Sequence, residues 1–442
     1  MTRDMTTGNP VKLILAFAVP IMLSSIVQQF YQITDTMIVG QFVGVNALAA
    51  VGSCGGIITM VIGWAGGLTS GFSIMVARSF GSGDEKKVSD YFLNSLLLCI
   101  LMTAGMTAVL QIILPWIVDV VNTPQELKAE VTQYIRISFW GIGAAFLYNI
   151  LSSVQRALGD SKTPLIFLGI SVVGNLGLDL VCVAWLKMGV VGAAVATVVS
   201  QLFAGLLCLA FIIKKYPLLW KSRPKDAISG RYMKRLLGLG VPMALQFSIT
   251  AIGNILIQSA LNMLGTVYIT AFTASSKIQG IFMSMFSSLG AALSTYVGQN
   301  MGAGKVKRIR EGVRDCQIAA LIFSGVAMLF LYFAGYYLVQ IFSSDMTKEI
   351  LDASSQYFHL VPFFYPFLSA IFLYRNALQG MGNGFVPMLG GVGELLARTI
   401  SSAVLAPRIG FLGICLGEPL AWIFALVPLI PFYIHWTKKL LK

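Results

Sequence analysis

The chain reads as an all-α membrane protein, with about twelve transmembrane helices in two six-helix bundles related by an axis along the membrane normal. Three observations lead there. Of 442 residues, 57% are hydrophobic and only 11% charged, and mean hydropathy is +0.80, where soluble domains carry roughly a quarter charged residues. Apolar runs long enough to cross a bilayer recur from end to end. The second half also repeats the punctuation of the first.

The runs lie at about 11–39, 43–76, 91–121, 130–158, 163–186, 189–214, 235–263, 266–297, 312–342, 355–380, 386–406 and 409–436, each close to the roughly 20 residues that a span requires. Such continuous runs exclude the alternation of a barrel. The charge of the loops alternates. One set holds Arg3, Lys12, Arg78, Lys86, Lys87, Arg156, Lys162, a basic run from Lys214 to Arg235, Lys305, Lys307, Arg308, Arg310, Arg314, Lys438, Lys439 and Lys442; the other holds only Lys128, Lys187, Lys348 and Arg408. Basic loops face the cytoplasm, which predicts a multi-pass protein of the cell membrane with both termini inside. It also accounts for the net charge of +13 without a nucleic-acid partner. Met1 to Pro10 is short, polar and followed by a full-length span, so no cleaved signal peptide is expected.

The repeat sets the domains. Gly81-Ser82-Gly83 matches Gly302-Ala303-Gly304. Gly159-Asp160 with Pro164 matches Gly382-Asn383 with Pro387. Gly189 to Gly192 matches Gly410 to Gly413, and Pro20 matches Pro242, all at offsets of 221 to 223. This predicts an N-terminal lobe over 1–214, a basic cytoplasmic linker over 215–234 and a C-terminal lobe over 235–442. The linker could also meet anionic headgroups. The architecture suits a transporter with a cleft between two bundles.

Enzyme chemistry has nothing to build from. Cys54, Cys99, Cys182, Cys208, Cys316 and Cys415 are scattered without CxxC spacing, and His359 and His435 stand far apart; no cofactor is expected. The polar residues inside the spans are the informative ones. Pro20 interrupts the hydrogen bonding of the first span, and Asp35 lies toward its outer end, beyond Gln28, Gln29 and Gln32. An acid at membrane depth is costly unless paired, wet or protonated; the alternative is that Asp35 is solvated at the interface. Asn175 and Asp179 are four apart, hence on one helix face, and Thr197 is in the next span. Carboxylate, amide and hydroxyl oxygens suit Na⁺, and the same carboxylates suit a proton. Alternatively, Asn175 and Asp179 only bond neighbouring helices. Glu394 and Arg398, also four apart, can pair along one helix; Arg375 or Lys277 could pair with Glu394 instead, in a structural or a functional role. Glu418 precedes Pro419, a break that would expose it, and could line the cleft or the interface.

Pro20, Asp35 to Gly40, Gly81-x-Gly83, Arg156 to Asp160 and Asn175 to Asp179 resemble the multidrug and toxic compound extrusion (MATE) family over nearly the whole chain, most of all its bacterial MepA-like and DinF-like branch. The resemblance implies two six-helix lobes and alternating-access export of cationic or amphipathic small molecules in exchange for H⁺ or Na⁺. It also implies a cation site, with Na⁺ as a possible metal, at Asp35, Asn175, Asp179 and Thr197. A substrate cleft is expected to draw on Gln32, Gln246, Met283, Phe286, Glu394 and Arg398. Some members carry acids in the seventh and tenth spans; here those spans have none, which moves the coupling to the N-terminal half. The expected partners are small-molecule drugs or toxic organic cations, H⁺ or Na⁺ and membrane lipid, with the chain a monomer. The rival readings are a flippase of lipid-linked precursors, which would want a more basic cleft, and a non-transporting receptor or scaffold.

Overall fold

The computed structural model describes residues 4–43, 45–120, 128–340 and 347–441; the side chains at 32, 33, 36, 45–54 and 120 lie outside the description. The helices are α1 (Pro10–Phe42), α2 (Val45–Gly81), α3 (Glu85–Val120), α4 (Lys128–Trp140), α5 (Ile142–Ala157), α6 (Lys162–Asp179), α7 (Gly189–Lys215), α8 (Pro224–Ala227), α9 (Gly230–Asn262), α10 (Thr266–Gly302), α11 (Val306–Gln340), α12 (Lys348–Leu360), α13 (Tyr365–Gly380), α14 (Phe385–Ile400), α15 (Ala406–Ile409), α16 (Phe411–Cys415) and α17 (Gly417–Leu441). Among the described residues, with α12–α13, α14–α15 and α16–α17 each continuing as one span, eleven helical stretches are long and apolar enough to cross a bilayer, or twelve with α4 and α5, bent by 40° at Gly141, taken as one. The fold class expected from the sequence is the observed one.

Two compact units divide the chain, one of residues 1–4 and 23–244, the other of 5–22 and 245–442. The change of unit falls within α1 and within α9, two residues past Pro20 and two past Pro242. A proline removes one backbone hydrogen bond and loosens its helix locally, so each shared helix is weakest near its change of unit.

Backbone geometry supports the repeat. The paired glycines Gly83 and Gly304 have φ of 72° and 69°, Gly159 and Gly382 both 87°, and Gly189 and Gly410 61° and 60°. These are left-handed conformations that glycine adopts without penalty. Downstream, the backbone carbonyl carbon of Cys182 would lie 3.1 Å from a Cβ added at Gly192, and that of Leu405 2.5 Å from one added at Gly413. The Asp160/Asn383 pair also matches in function. Asp160 Oδ1 accepts from the Thr163 amide at 3.0 Å and Asn383 Oδ1 from the Val386 amide at 3.0 Å, each satisfying an orphan donor at a helix start. Asp160 Oδ2 accepts from the hydroxyls of Thr163 at 2.6 Å and Tyr216 at 2.8 Å. Burial works against its charged form, but these hydrogen bonds outweigh it and hold the carboxyl below the usual carboxylate range.

The basic segment around residues 216–229 is packed rather than loose. Leu219 and Ala227 are fully buried, Ser89 Oγ donates to the Leu219 carbonyl at 2.9 Å, and Asn94 Nδ2 donates to that of Ala227 at 2.8 Å. In the other unit, the segment ahead of α1 is tied down in a similar way: the Met5 amide donates to Gln299 Oε1 at 2.9 Å and Asn300 Nδ2 to the Met5 carbonyl at 3.1 Å.

Candidate functional site

Four helices of the first unit converge on one polar cluster. The second half of α1 brings Tyr31 and Asp35, four apart and so on one face. α6 brings Asn175 and Asp179, α7 brings Thr197, and α4 brings Tyr134. Gly141 lets α4 and α5 close on α7, since a Cβ there would stand 2.2 Å from Val198 Cγ2, one residue past Thr197. Asp179 is the last α-helical residue of α6; a π-helical turn, Leu180–Trp185, follows. Such turns widen the helix and are frequent at functional sites. The repeat places another, Ser401–Leu405, after α14.

The carboxyls of Asp35 and Asp179 lie within hydrogen-bonding reach of each other. The Tyr31 and Thr197 hydroxyls share a hydrogen bond of 2.8 Å, and Tyr31 stands in the field of both acids and of Tyr134. Asn175 and Asp179 are 2% and 1% exposed. Asp35 Oδ1, both Asp179 oxygens and Asn175 Nδ2 are buried without a hydrogen-bond partner. Among the described residues, neither acid makes an ion pair with a Lys or Arg. Asp35 itself is half-buried; two carboxylates this close, one of them fully buried, repel strongly unless a proton or cation sits between them. Two carboxylates, an amide oxygen and hydroxyls are the hard oxygen donors that a monovalent cation accepts. A cavity of about 60 Å³ adjoins the cluster at Tyr134 and Thr197; its wall is mostly apolar, with Ser138 and Gln201 as its other polar groups.

The second unit handles its acids differently. Of the cations the sequence offers to Glu394, Arg375 makes the tight contact, donating from Nη2 to Oε1, while Arg398 Nη1 stands 3.6 Å from Oε2. With its amide oxygen turned toward Arg375, Gln246 accepts from Nη1 at 3.0 Å and Nε at 3.3 Å. Gly253 makes room for Arg398, whose Cδ would lie 2.8 Å from an added Cβ. Glu418 Oε2 accepts from Gln279 Nε2, whose Oε1 accepts from the Tyr357 hydroxyl. These two acids are matched by guanidinium groups and hydrogen bonds, whereas Asp35 and Asp179 have no such cation among the described residues.

The predicted residues therefore fall into groups. Asp35 and Asp179 face each other, with Thr197 bound to Tyr31 beside them and Asn175 one turn away on the face of Asp179. Gln246, Glu394 and Arg398 form one buried network with Arg375. Met283 Sδ lies 3.6 Å from Gln279 Nε2. Phe286, 2% exposed, packs against Phe323 and Tyr365 at ring separations of 5.3 and 6.1 Å. The Gln32 side chain lies outside the described residues. Tyr31 and Tyr134 were missed. The four-residue spacing of Tyr31 to Asp35 was a signal; Tyr134 gave none.

Long apolar helices in two repeated units, with polar groups gathered inside each, define a multi-pass membrane transporter. The MatE family model matches residues 20–181 and 242–404, and the chain belongs to that family. It is 29% identical over 442 residues to the probable multidrug resistance protein YpnP of Bacillus subtilis, covering 99% of this chain and 98% of the relative. It is 25% identical over 439 residues to the probable multidrug resistance protein YoeA of the same organism, covering 96% and 93%. Among solved structures, the outward-facing conformation of a multidrug resistance MATE family transporter of the MOP superfamily superposes with a TM-score of 0.91 at 20% identity, over 99% of this chain and 98% of that one.

Proposed function

We propose that the protein exports cationic or amphipathic small molecules across the cell membrane in exchange for H⁺ or Na⁺ by alternating access, and that the coupling cation binds at Asp35 and Asp179 with oxygens of Asn175 and Thr197. The observation that carries this reading is the pair of facing, buried carboxyls without a counter-charge. Binding a cation removes the repulsion between them and draws the second half of α1 toward α6 and α7. Release reverses that. Pro20 supplies the weak point about which α1 rearranges. A ligand shifts such an equilibrium only by binding the two states unequally, and the acid pair provides the inequality because its spacing depends on the position of α1. The alternating loop charges support cytoplasmic termini.

Reconstituted vesicles loaded with a fluorescent organic cation test the reading. A pH or Na⁺ gradient, imposed separately, drives dye movement in the wild type and not in Asp35→Asn; gradient-driven transport at the wild-type rate in Asp35→Asn would contradict it. The gradient that works identifies the ion.

A further inference from the structure

At one end of the second unit, a cavity of about 590 Å³ opens between the first turns of α11 and the helices α13 and α17. Lys307, Arg310 and Arg314 line it from α11, at spacings of three and four that place them on one face. Glu311 is the only acid in the wall. Arg314 pairs with Asp315 at 2.8 Å; among the described residues, Lys307 and Arg310 make no ion pair. Tyr374 and Tyr433, with rings 5.1 Å apart, form the opposite wall, and Arg310 is close enough to act on the Tyr433 hydroxyl.

We propose that this cavity binds the headgroup of an anionic phospholipid. Basic residues at a span end are expected in any membrane protein, and most are simply solvated. Three features set this group apart. The cations line a concavity instead of projecting from a loop. Tyrosines, the residues that favour the headgroup level, close its other side. Finally, the basic face runs directly into lipid-facing surface: one turn past Arg314 come Ile318, then Ile322 and Val326, which are 52%, 66% and 60% exposed.

A phosphate between Lys307 and Arg310 would let acyl chains lie along that stripe, whereas free phosphate would use only the head of the site. Gln317, also in the wall, gives its Nε2 to Ser369 Oγ at 3.2 Å and leaves Oε1 buried without a donor. Basic pockets between spans are a known basis for headgroup recognition.

The test uses the full-length protein, stripped of lipid in detergent and titrated with phosphatidylglycerol or phosphatidylcholine while bound lipid is counted by native mass spectrometry. The wild type retains phosphatidylglycerol in preference. Lys307→Gln with Arg310→Gln weakens that binding roughly 25-fold, at about fivefold per charge near the surface. Glu311→Gln strengthens it about fivefold, a gain that misfolding could not produce. Lys438→Gln with Lys439→Gln, at the same end of the unit but outside the cavity wall, leaves it close to the wild-type level. An equal loss in the Lys438/Lys439 variant would overturn the proposal in favour of diffuse charge. Displacement of phosphatidylglycerol by inorganic phosphate would overturn it in favour of a free-anion site, and equal retention of the two lipids would overturn it outright.

Discussion

Asp179→Asn keeps the shape of the side chain and removes one of two facing charges. At about 4 Å and an effective dielectric near 20, two carboxylates repel by about 4 kcal/mol. That repulsion is what a shared proton or Na⁺ relieves, so it is also the extra affinity that the pair confers on its cation. With tenfold per 1.36 kcal/mol, the variant holds its cation about a thousandfold more weakly. Neither Asp179 oxygen accepts from an amide, hydroxyl or cationic side chain of the described residues, so the contact the substitution alters is the one with Asp35, and the thermal midpoint should stay level or rise. The assay is gradient-driven efflux of a cationic dye from vesicles, paired with a melting curve on the same preparation. Transport is expected to fall to the leak rate while the protein stays folded. A folded Asp179→Asn with wild-type efflux would refute the reasoning, and so would a large drop in thermal midpoint, which would mean the carboxylate is a structural partner.

The C-terminal acid predicts the opposite pattern. Glu394→Gln leaves Arg375 and Arg398 buried without their carboxylate and should cost about 3–5 kcal/mol, read as a clear fall in thermal midpoint. Tyr31→Phe removes the hydrogen bond to Thr197, worth about 1 kcal/mol, and should lower the apparent affinity for the coupling ion in a transport titration with little loss of stability. Gly253→Ala forces a Cβ to within 2.8 Å of Arg398 Cδ and should destabilise by about 1–3 kcal/mol in a thermal melt. Asp160, held below the usual carboxylate range by its hydrogen bonds, stabilises the fold above its ordinary titration range, and that stability is lost as pH falls through the lowered value. Asp160→Asn should therefore be less stable near neutrality and show a flatter decline of thermal midpoint with acid.

Much of this was legible because membrane helices write their constraints locally. Span length, loop charge and the repeated glycines are properties of short windows, and the matched left-handed φ values show why glycine recurs at Gly83 and Gly304, or at Gly159 and Gly382. The i,i+4 spacing of Asn175 and Asp179 likewise gave a shared face. What stayed hidden depends on packing between distant segments. Arg398, Arg375 and Lys277 were all visible as partners for Glu394, but their ranking was not: Arg375, nineteen positions off on another helix, makes the closer contact, and Arg398, one turn away, the looser one. Tyr134 reaches the acid cluster only because α4 bends at Gly141 and closes on α7. The π turn after Asp179 has no residue signature, being a one-residue change of hydrogen-bond register. The division of α1 and α9 between the two units could not be read from hydropathy, which reports a single apolar run on both sides of Pro20.

The most direct test of the coupling claim is cation movement in vesicles holding the wild type or the Asp35→Asn/Asp179→Asn double variant, with an outward substrate gradient and no imposed ion gradient. The acid-pair account predicts that substrate efflux drives H⁺ or Na⁺ inward through the wild type and that the folded double variant moves none. Substrate-driven cation uptake that persists in the double variant would contradict it.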